Sequence, residues 1–193
     1  SMGADITEDA KGRLIIEGKS ELGAMEHTVS PDRIQTGTYI IAGAITRGDV
    51  TVKDCQPEDN EILLDYLKEA GFDIQTGADF IRIKPKCKKI KPVNIKTAPF
   101  PGFATDLQAP FMALMCLCSG QSEISEDIFE NRFMHAPELV RMGANIMIER
   151  NTAKITGVKN FSPAVVMSSD LRGGAALVLA GLCAKGVSEV ERI

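Results

Sequence analysis

The chain has no tryptophan and only two tyrosines among its 193 residues. Aromatic platforms for stacking bases are therefore scarce, and a formal net charge of −4 argues against a basic nucleic-acid surface. No apolar run reaches the length of about 18 residues that a membrane-spanning helix needs, so no membrane partner is expected. The start lacks a basic and apolar leader, so no secretory signal is expected, and Ser1-Met2-Gly3 reads as an expression scar. The five cysteines are odd in number and show no pairing at zinc spacing, so no metal site is expected. Reduced, buried thiols of a cytoplasmic protein are the expectation. Cys116 and Cys118, two apart on an apolar helix, should face nearly opposite sides. Cys87 alone has a cationic setting, between Lys86 and Lys88, but no other element of a nucleophile site stands beside it.

What the chain does have is an internal repeat. Three apolar helices, expected over residues 33–44, 107–118 and 171–184, are each followed by a glycine (Gly48, Gly120, Gly186) and a short strand. A glycine there is expected to close the helix in the left-handed conformation. A second helix follows in two of the units, expected at 61–70 and 137–142, and ends on Gly71 and Gly143. Paired strands come next, at 72–76 with 80–84 and at 144–149 with 153–156. The expected unit is thus helix, strand, helix, strand, strand, an α/β architecture. The third unit begins at 164–167 and is expected to be truncated after its first helix and strand. Residues 5–18 read as a polar hairpin and 21–30 as a linker. The expected division is 1–3 scar, 4–30 hairpin and linker left from a preceding domain, and 31–193 a second domain, incomplete at its C-terminus.

The three long helices start alike, at Asp32-Arg33, at Thr105-Asp106 and at Asp170-Leu171-Arg172. Helix starts present free N–H groups and a positive dipole end. Side by side, these three would line one surface with carboxylates able to act as bases and arginines able to hold an anion. The competing reading is structural, because Asp and Ser are preferred N-caps. Asp32 and Asp170 fit it well; at the middle start Thr105 could cap in place of Asp106. Arg132, in the turn Glu130-Asn131-Arg132, could equally form a local ion pair with Glu126 or Glu130. His135 is expected to satisfy a hydrogen bond near a helix start, and the basic run 84–91 to be a solvated loop.

Five motifs in order carry a resemblance: Asp32-Arg33-Ile34 with Thr36-Gly37-Thr38; Phe103 with Thr105-Asp106 and Gln108-Ala109; Phe129-Glu130-Asn131-Arg132-Phe133-Met134-His135; Glu138-Leu139 with Arg141-Met142-Gly143-Ala144; and Asp170-Leu171-Arg172. Together they resemble the second half of the UDP-N-acetylglucosamine enolpyruvyl transferases. The motifs of the sister enzyme acting on shikimate 3-phosphate are not seen. The resemblance implies an enolpyruvyl-transferase fold, an inside-out α/β barrel of two domains whose helix starts face a central cleft. It implies transfer of the enolpyruvyl group of phosphoenolpyruvate to the 3-hydroxyl of UDP-N-acetylglucosamine with loss of phosphate, without a cofactor, as the first committed step of peptidoglycan synthesis.

By the same resemblance Asp106 is the base at the sugar hydroxyl and Asp170 a second acid–base group. Ile128 and Phe129 line the nucleotide pocket, and Arg132 and Arg172 hold phosphoenolpyruvate. The partner it implies is the missing first domain, with the remaining site groups; the chain alone is expected to be inactive. A non-catalytic module that binds a sugar nucleotide or a partner is the alternative.

Overall fold

The computed structural model describes residues 2–193; Ser1, part of the expected scar, lies outside them. The chain divides into two units, 1–30 and 31–193. In the first, strands β1 (Asp5–Glu8) and β2 (Leu14–Glu17) form an antiparallel hairpin. Its turn is tied by Asp9, whose carboxylate accepts from the Lys11 and Arg13 amides and from the Arg13 guanidinium. The Arg13 amide first, then its guanidinium, holds that carboxyl below its ordinary value.

The second unit opens with helix α1 (Arg33–Ile45), strand β3 (Val50–Lys53), helix α2 (Glu61–Glu69) and strands β4 (Phe72–Thr76) and β5 (Phe80–Pro85). These strands form an antiparallel sheet in the order β3-β5-β4. The pattern recurs with strand β6 (Ile95–Lys96), a 3-10 turn (Thr105–Leu107), helix α3 (Gln108–Met115), strand β7 (Gln121–Ser125), helix α4 (Ala136–Arg141) and strands β8 (Asn145–Glu149) and β9 (Thr152–Thr156). Its sheet runs β6-β7-β9-β8, with β6 and β7 parallel. Strand β10 (Val165–Met167), helix α5 (Leu171–Cys183) and strand β11 (Glu189–Glu191) follow, and β10 pairs with β11 in parallel. The class is α/β, but the three sheets of this unit stay separate, so no closed barrel forms among its described residues.

Helices α1, α3 and α5 pack on one another. Every residue of α3 is buried, which is why its sequence shows no polar face. Pro110 is tolerated in it because the first turn has no intrahelical use for an N–H. Strands such as β9 alternate inward and outward residues, with Ala153 and Ile155 buried, as a sheet with one covered face requires. Close approach of α1 to the 3-10 turn needs Gly37, where a Cβ would stand 2.7 Å from Leu107 Cδ1.

Two helix-end expectations are corrected. Gly71, Gly143 and Gly186 do have positive φ, but Gly48 and Gly120 do not. At the end of α1 the left-handed residue is Arg47 (φ 56), and the Gly48 amide closes back on the Gly43 carbonyl at 2.9 Å. Arg47 tolerates this position with its guanidinium bonded to the Cys87 carbonyl. Gly120 serves space instead: a Cβ there would lie 3.1 Å from Pro92 Cγ. Helix α3 stops at Met115, short of residue 118: the Leu117 and Cys118 amides tighten onto the Leu114 and Met115 carbonyls three residues back, and crossing segments bond the chain beyond. Val158 N donates to Cys116 O at 2.7 Å, and Ser119 N to Ile90 O at 2.7 Å. Gly157 permits the crossing, since a Cβ would sit 1.8 Å from Cys118 O. Cys116 and Cys118 therefore do not take opposite faces of a helix; both are buried, and burial pushes the Cys116 thiol up to about 12. All five cysteines are free.

Candidate active site

The starts of the central helices meet, but their aspartates do different things. Asp32 caps α1, its Oδ1 accepting from Ile34 N at 2.7 Å and Gln35 N at 3.1 Å. Asp170 caps α5, its Oδ1 accepting from Arg172 N at 2.9 Å and Gly173 N at 3.0 Å. Its Oδ2 accepts only from the Ser169 hydroxyl, at 3.2 Å. Burial pushes the Asp170 carboxyl up, but the two amides, that hydroxyl and the charge of Arg132 outweigh it, and the group lies below its ordinary value.

Asp106 caps nothing. It lies within the 3-10 turn, two residues past the extended N-cap Ala104, and no side-chain cap bond forms at this turn. Its Oδ1 accepts from the Arg132 guanidinium at 2.8 Å and its Oδ2 from that of Arg172 at 3.2 Å. All three side chains are partly buried. Thr105, expected as a substitute cap, donates its hydroxyl to Glu126 Oε2 at 2.8 Å instead. Arg132 pairs with neither Glu126 nor Glu130. The turn that delivers it to Asp106 has Asn131 at φ 54, and the guanidinium stacks 5.2 Å from the Phe129 ring centroid.

Ile128, Phe129, Arg132, Met134, Ile148 and Arg150 line a cavity of ≈ 990 Å³ beside this pair. Four of the resemblance's site residues, Asp106, Phe129, Arg132 and Arg172, are thus joined by direct contacts, and Ile128 joins them on the cavity wall. Asp170 belongs to the same helix start as Arg172, and the hydrogen bonds of its carboxylate go to Ser169, Arg172 and Gly173 rather than to Asp106 or the wall.

His135, expected to make a hydrogen bond, is fully buried with both ring nitrogens unpartnered among the described residues. Burial pushes its pKa down to about 4; the charge of Asp170 opposes that shift and the charge of Arg132 adds to it. No group of three or more His, Cys, Asp or Glu that could hold a metal ion occurs among the described residues. Lys88 and Lys89 of the basic run are exposed and line, with Arg47 and Lys159, a second cavity of ≈ 610 Å³. Glu126, read from sequence only as a surface ion-pair partner, is buried. Its signal lay in the strand alternation, because Ser122, Ile124 and Glu126 all fall on the inner face of β7 and its extension.

A family profile described as EPSP synthase (3-phosphoshikimate 1-carboxyvinyltransferase) matches residues 1–193. The chain belongs to that family. Within it, the chain is 61% identical over 194 residues to a protein of Elusimicrobium minutum (strain Pei191) named UDP-N-acetylglucosamine 1-carboxyvinyltransferase, covering 100% of this chain and 46% of that protein. It is 52% identical over 192 residues to the protein of the same name from Geotalea uraniireducens (strain Rf4), again covering 100% of this chain and 46% of the relative. Among solved structures, the enolpyruvyl transferase NikO from Streptomyces tendae superposes with a TM-score of 0.85 at 26% identity, over 98% of this chain and 46% of that one. The chain therefore spans about half the length of the relatives it matches. No helix among the described residues is long and apolar enough to cross a membrane.

Proposed function

We propose that this chain supplies the base and the nucleotide-side wall of an enzyme that moves the enolpyruvyl group of phosphoenolpyruvate to the 3-hydroxyl of UDP-N-acetylglucosamine and releases phosphate. The observation that carries the reading is the Asp106 carboxylate held between Arg132 and Arg172. An unactivated alcohol needs a base, and a carboxylate within reach supplies one. Phosphoenolpyruvate brings a phosphate and a carboxylate, the anions that planar guanidinium forks grip. Its arrival draws Arg132 and Arg172 off Asp106 and leaves that carboxylate free to accept the hydroxyl proton.

The bond changes balance without an oxidant or reductant, so the reading calls for no redox cofactor. The sugar oxygen bonds to C2 of phosphoenolpyruvate while C3 takes a proton. The tetrahedral adduct then loses a C3 proton as its C2–O bond to phosphate breaks. The two arginines neutralise the adduct's anionic groups, a charge that preorganised donors stabilise best. Asp170 serves as a second acid–base group through Oδ2, the oxygen its cap leaves open. Ile128 and Phe129 present the wall for the nucleotide. The choice of UDP-N-acetylglucosamine rests on the names of the relatives. With it come a place at the committed step of peptidoglycan synthesis, a cytoplasmic location, and a partner domain bearing the remaining site groups.

The test is phosphate release from phosphoenolpyruvate that depends on UDP-N-acetylglucosamine. A polypeptide joining this chain to the remainder of such an enzyme should turn over and lose turnover on Asp106→Asn. The 193 residues alone should release none, because a cleft between two domains is what excludes water and assembles the site. Unimpaired turnover by Asp106→Asn would defeat the assignment of the base. A non-catalytic module would have no chemical use for the Asp106 pair.

A further inference from the structure

Just past strand β7 lies a buried carboxylate that the proposed chemistry does not use. Glu126 is 3% exposed, and four donors converge on it. Its Oε1 accepts from the Thr97 hydroxyl at 2.9 Å, the Ile128 amide at 2.9 Å and the Phe129 amide at 3.1 Å. Its Oε2 accepts from the Thr105 hydroxyl at 2.8 Å. Thr97, itself buried, accepts from the Asp127 amide at 3.0 Å, so its one hydroxyl proton is committed to Glu126. The Glu126 amide is taken in turn by the Asn151 carbonyl at 2.8 Å.

These bonds join two segments that also meet where the Asp127 amide donates to the Thr97 hydroxyl and the Thr97 amide donates to the Ser125 carbonyl at 2.9 Å. One is the loop from Thr97 to the 3-10 turn, which ends beside Asp106. The other is the turn from Asp127 to Phe129, which forms the cavity wall. We infer that Glu126 is a positioning residue, fixing the base at Asp106 relative to the wall at Ile128 and Phe129. The inference rests on the enolpyruvyl-transfer reading for what is being positioned, and on geometry alone for the positioning itself.

The two oxygens divide the task. Oε2 holds only the Thr105 side, and so the base. Oε1 holds the Ile128 and Phe129 amides, and so the wall, and ties them to Thr97 at the start of the loop. A buried acceptor removed from such a network leaves its donors unpaired, and the segments drift apart. Severing the Oε2 arm should therefore impair turnover, while losing Oε1 as well should also impair sugar-nucleotide binding.

The first test uses the 193-residue chain and amide hydrogen exchange. Glu126→Ala should strip protection from the Ile128 and Phe129 amides while the β9 amides keep theirs; Thr105→Val should leave all of them protected. Retained protection at Ile128 and Phe129 in Glu126→Ala overturns the inference.

The second test uses an active polypeptide containing this chain. Thr105→Val should lower kcat about ten- to hundredfold, as a displaced catalytic group does. Its KM for the sugar nucleotide should stay within about twofold of the parent's. Thr105→Ser, which keeps the hydroxyl, should restore kcat. Glu126→Ala should lower kcat and raise that KM together. Should Glu126→Ala fail to fold, the Thr105 pair decides alone, since it leaves the glutamate in place. Equal kcat in Thr105→Val and Thr105→Ser, or losses that merely follow the unfolded fraction, would sink the positioning role. Failure of the reading itself shows separately, as full turnover in Asp106→Asn with the exchange result intact.

Discussion

Asp106 and Asp170 stand at corresponding helix starts, yet Asp170 spends one oxygen on two backbone amides while Asp106 gives both oxygens to guanidinium groups. The difference leaves both Asp106 oxygens outside any cap, whereas Asp170 keeps only Oδ2 outside its own. It also sets what each substitution should do.

Asp106→Ala should lower turnover of an active polypeptide by about 10²–10⁴, the worth of a base, with little loss of stability. Asp32→Ala should do the reverse, costing about 1 kcal/mol as a lost cap and leaving kcat unchanged. Steady-state kinetics paired with urea melts measure both. A near-normal kcat in Asp106→Ala would mean that the carboxylate only balances the two arginines.

Gly157→Ala should destabilise the second unit by about 3 kcal/mol, the upper range for forced overpacking. The new Cβ would meet the Cys118 carbonyl, which is backbone and has no rotamer to yield. Chemical denaturation of the isolated chain reads this directly. A stability equal to the parent's would place the crossing segment elsewhere.

His135 should make the fold pH-sensitive on the acid side of neutrality. Its folded pKa is about 4 against an ordinary 6.5, so the unfolded chain binds its proton first. Stability should be full above about pH 6.5 and fall as pH drops toward 4, by up to about 3 kcal/mol from this group, then level off. Comparing denaturation midpoints at pH 7.5, 5.5 and 4.5 for the parent and His135→Gln tests it; the variant should lose most of this slope. An unchanged slope would assign the pH dependence to other groups.

Asp170 should act in a lower window. Its folded pKa lies below the ordinary 3.8, so its contribution is present above that value and lost as pH falls through the folded pKa. Asp170→Asn keeps a capping oxygen but cannot titrate, so it should flatten stability below about pH 4 while changing little at pH 7. A variant as acid-sensitive as the parent would show that the cap's charge contributes nothing.

Much of this protein was legible one residue at a time. Helix α1, the pair β4 and β5, and helix α5 fall within a residue or two of their expected bounds, because apolar periodicity and glycine stops are local signals. The cap roles of Asp32 and Asp170 were legible for the same reason, since a cap bonds its own neighbours two and three residues on. The motifs about Asp106, Arg132 and Arg172 marked those residues without showing what they touch.

Tertiary structure decided what lies between distant segments. The end of α3 depends on Gly157 and Val158, far along the chain, and apolar periodicity through Cys118 carries no trace of them. Asp106 could have capped its helix as Asp32 does. Partners 26 and 66 residues away claim its oxygens instead, while Glu126 takes the Thr105 hydroxyl that would otherwise compete. A carboxylate goes to the donors that reach it, and only the packed fold brings those donors within 3 Å or so.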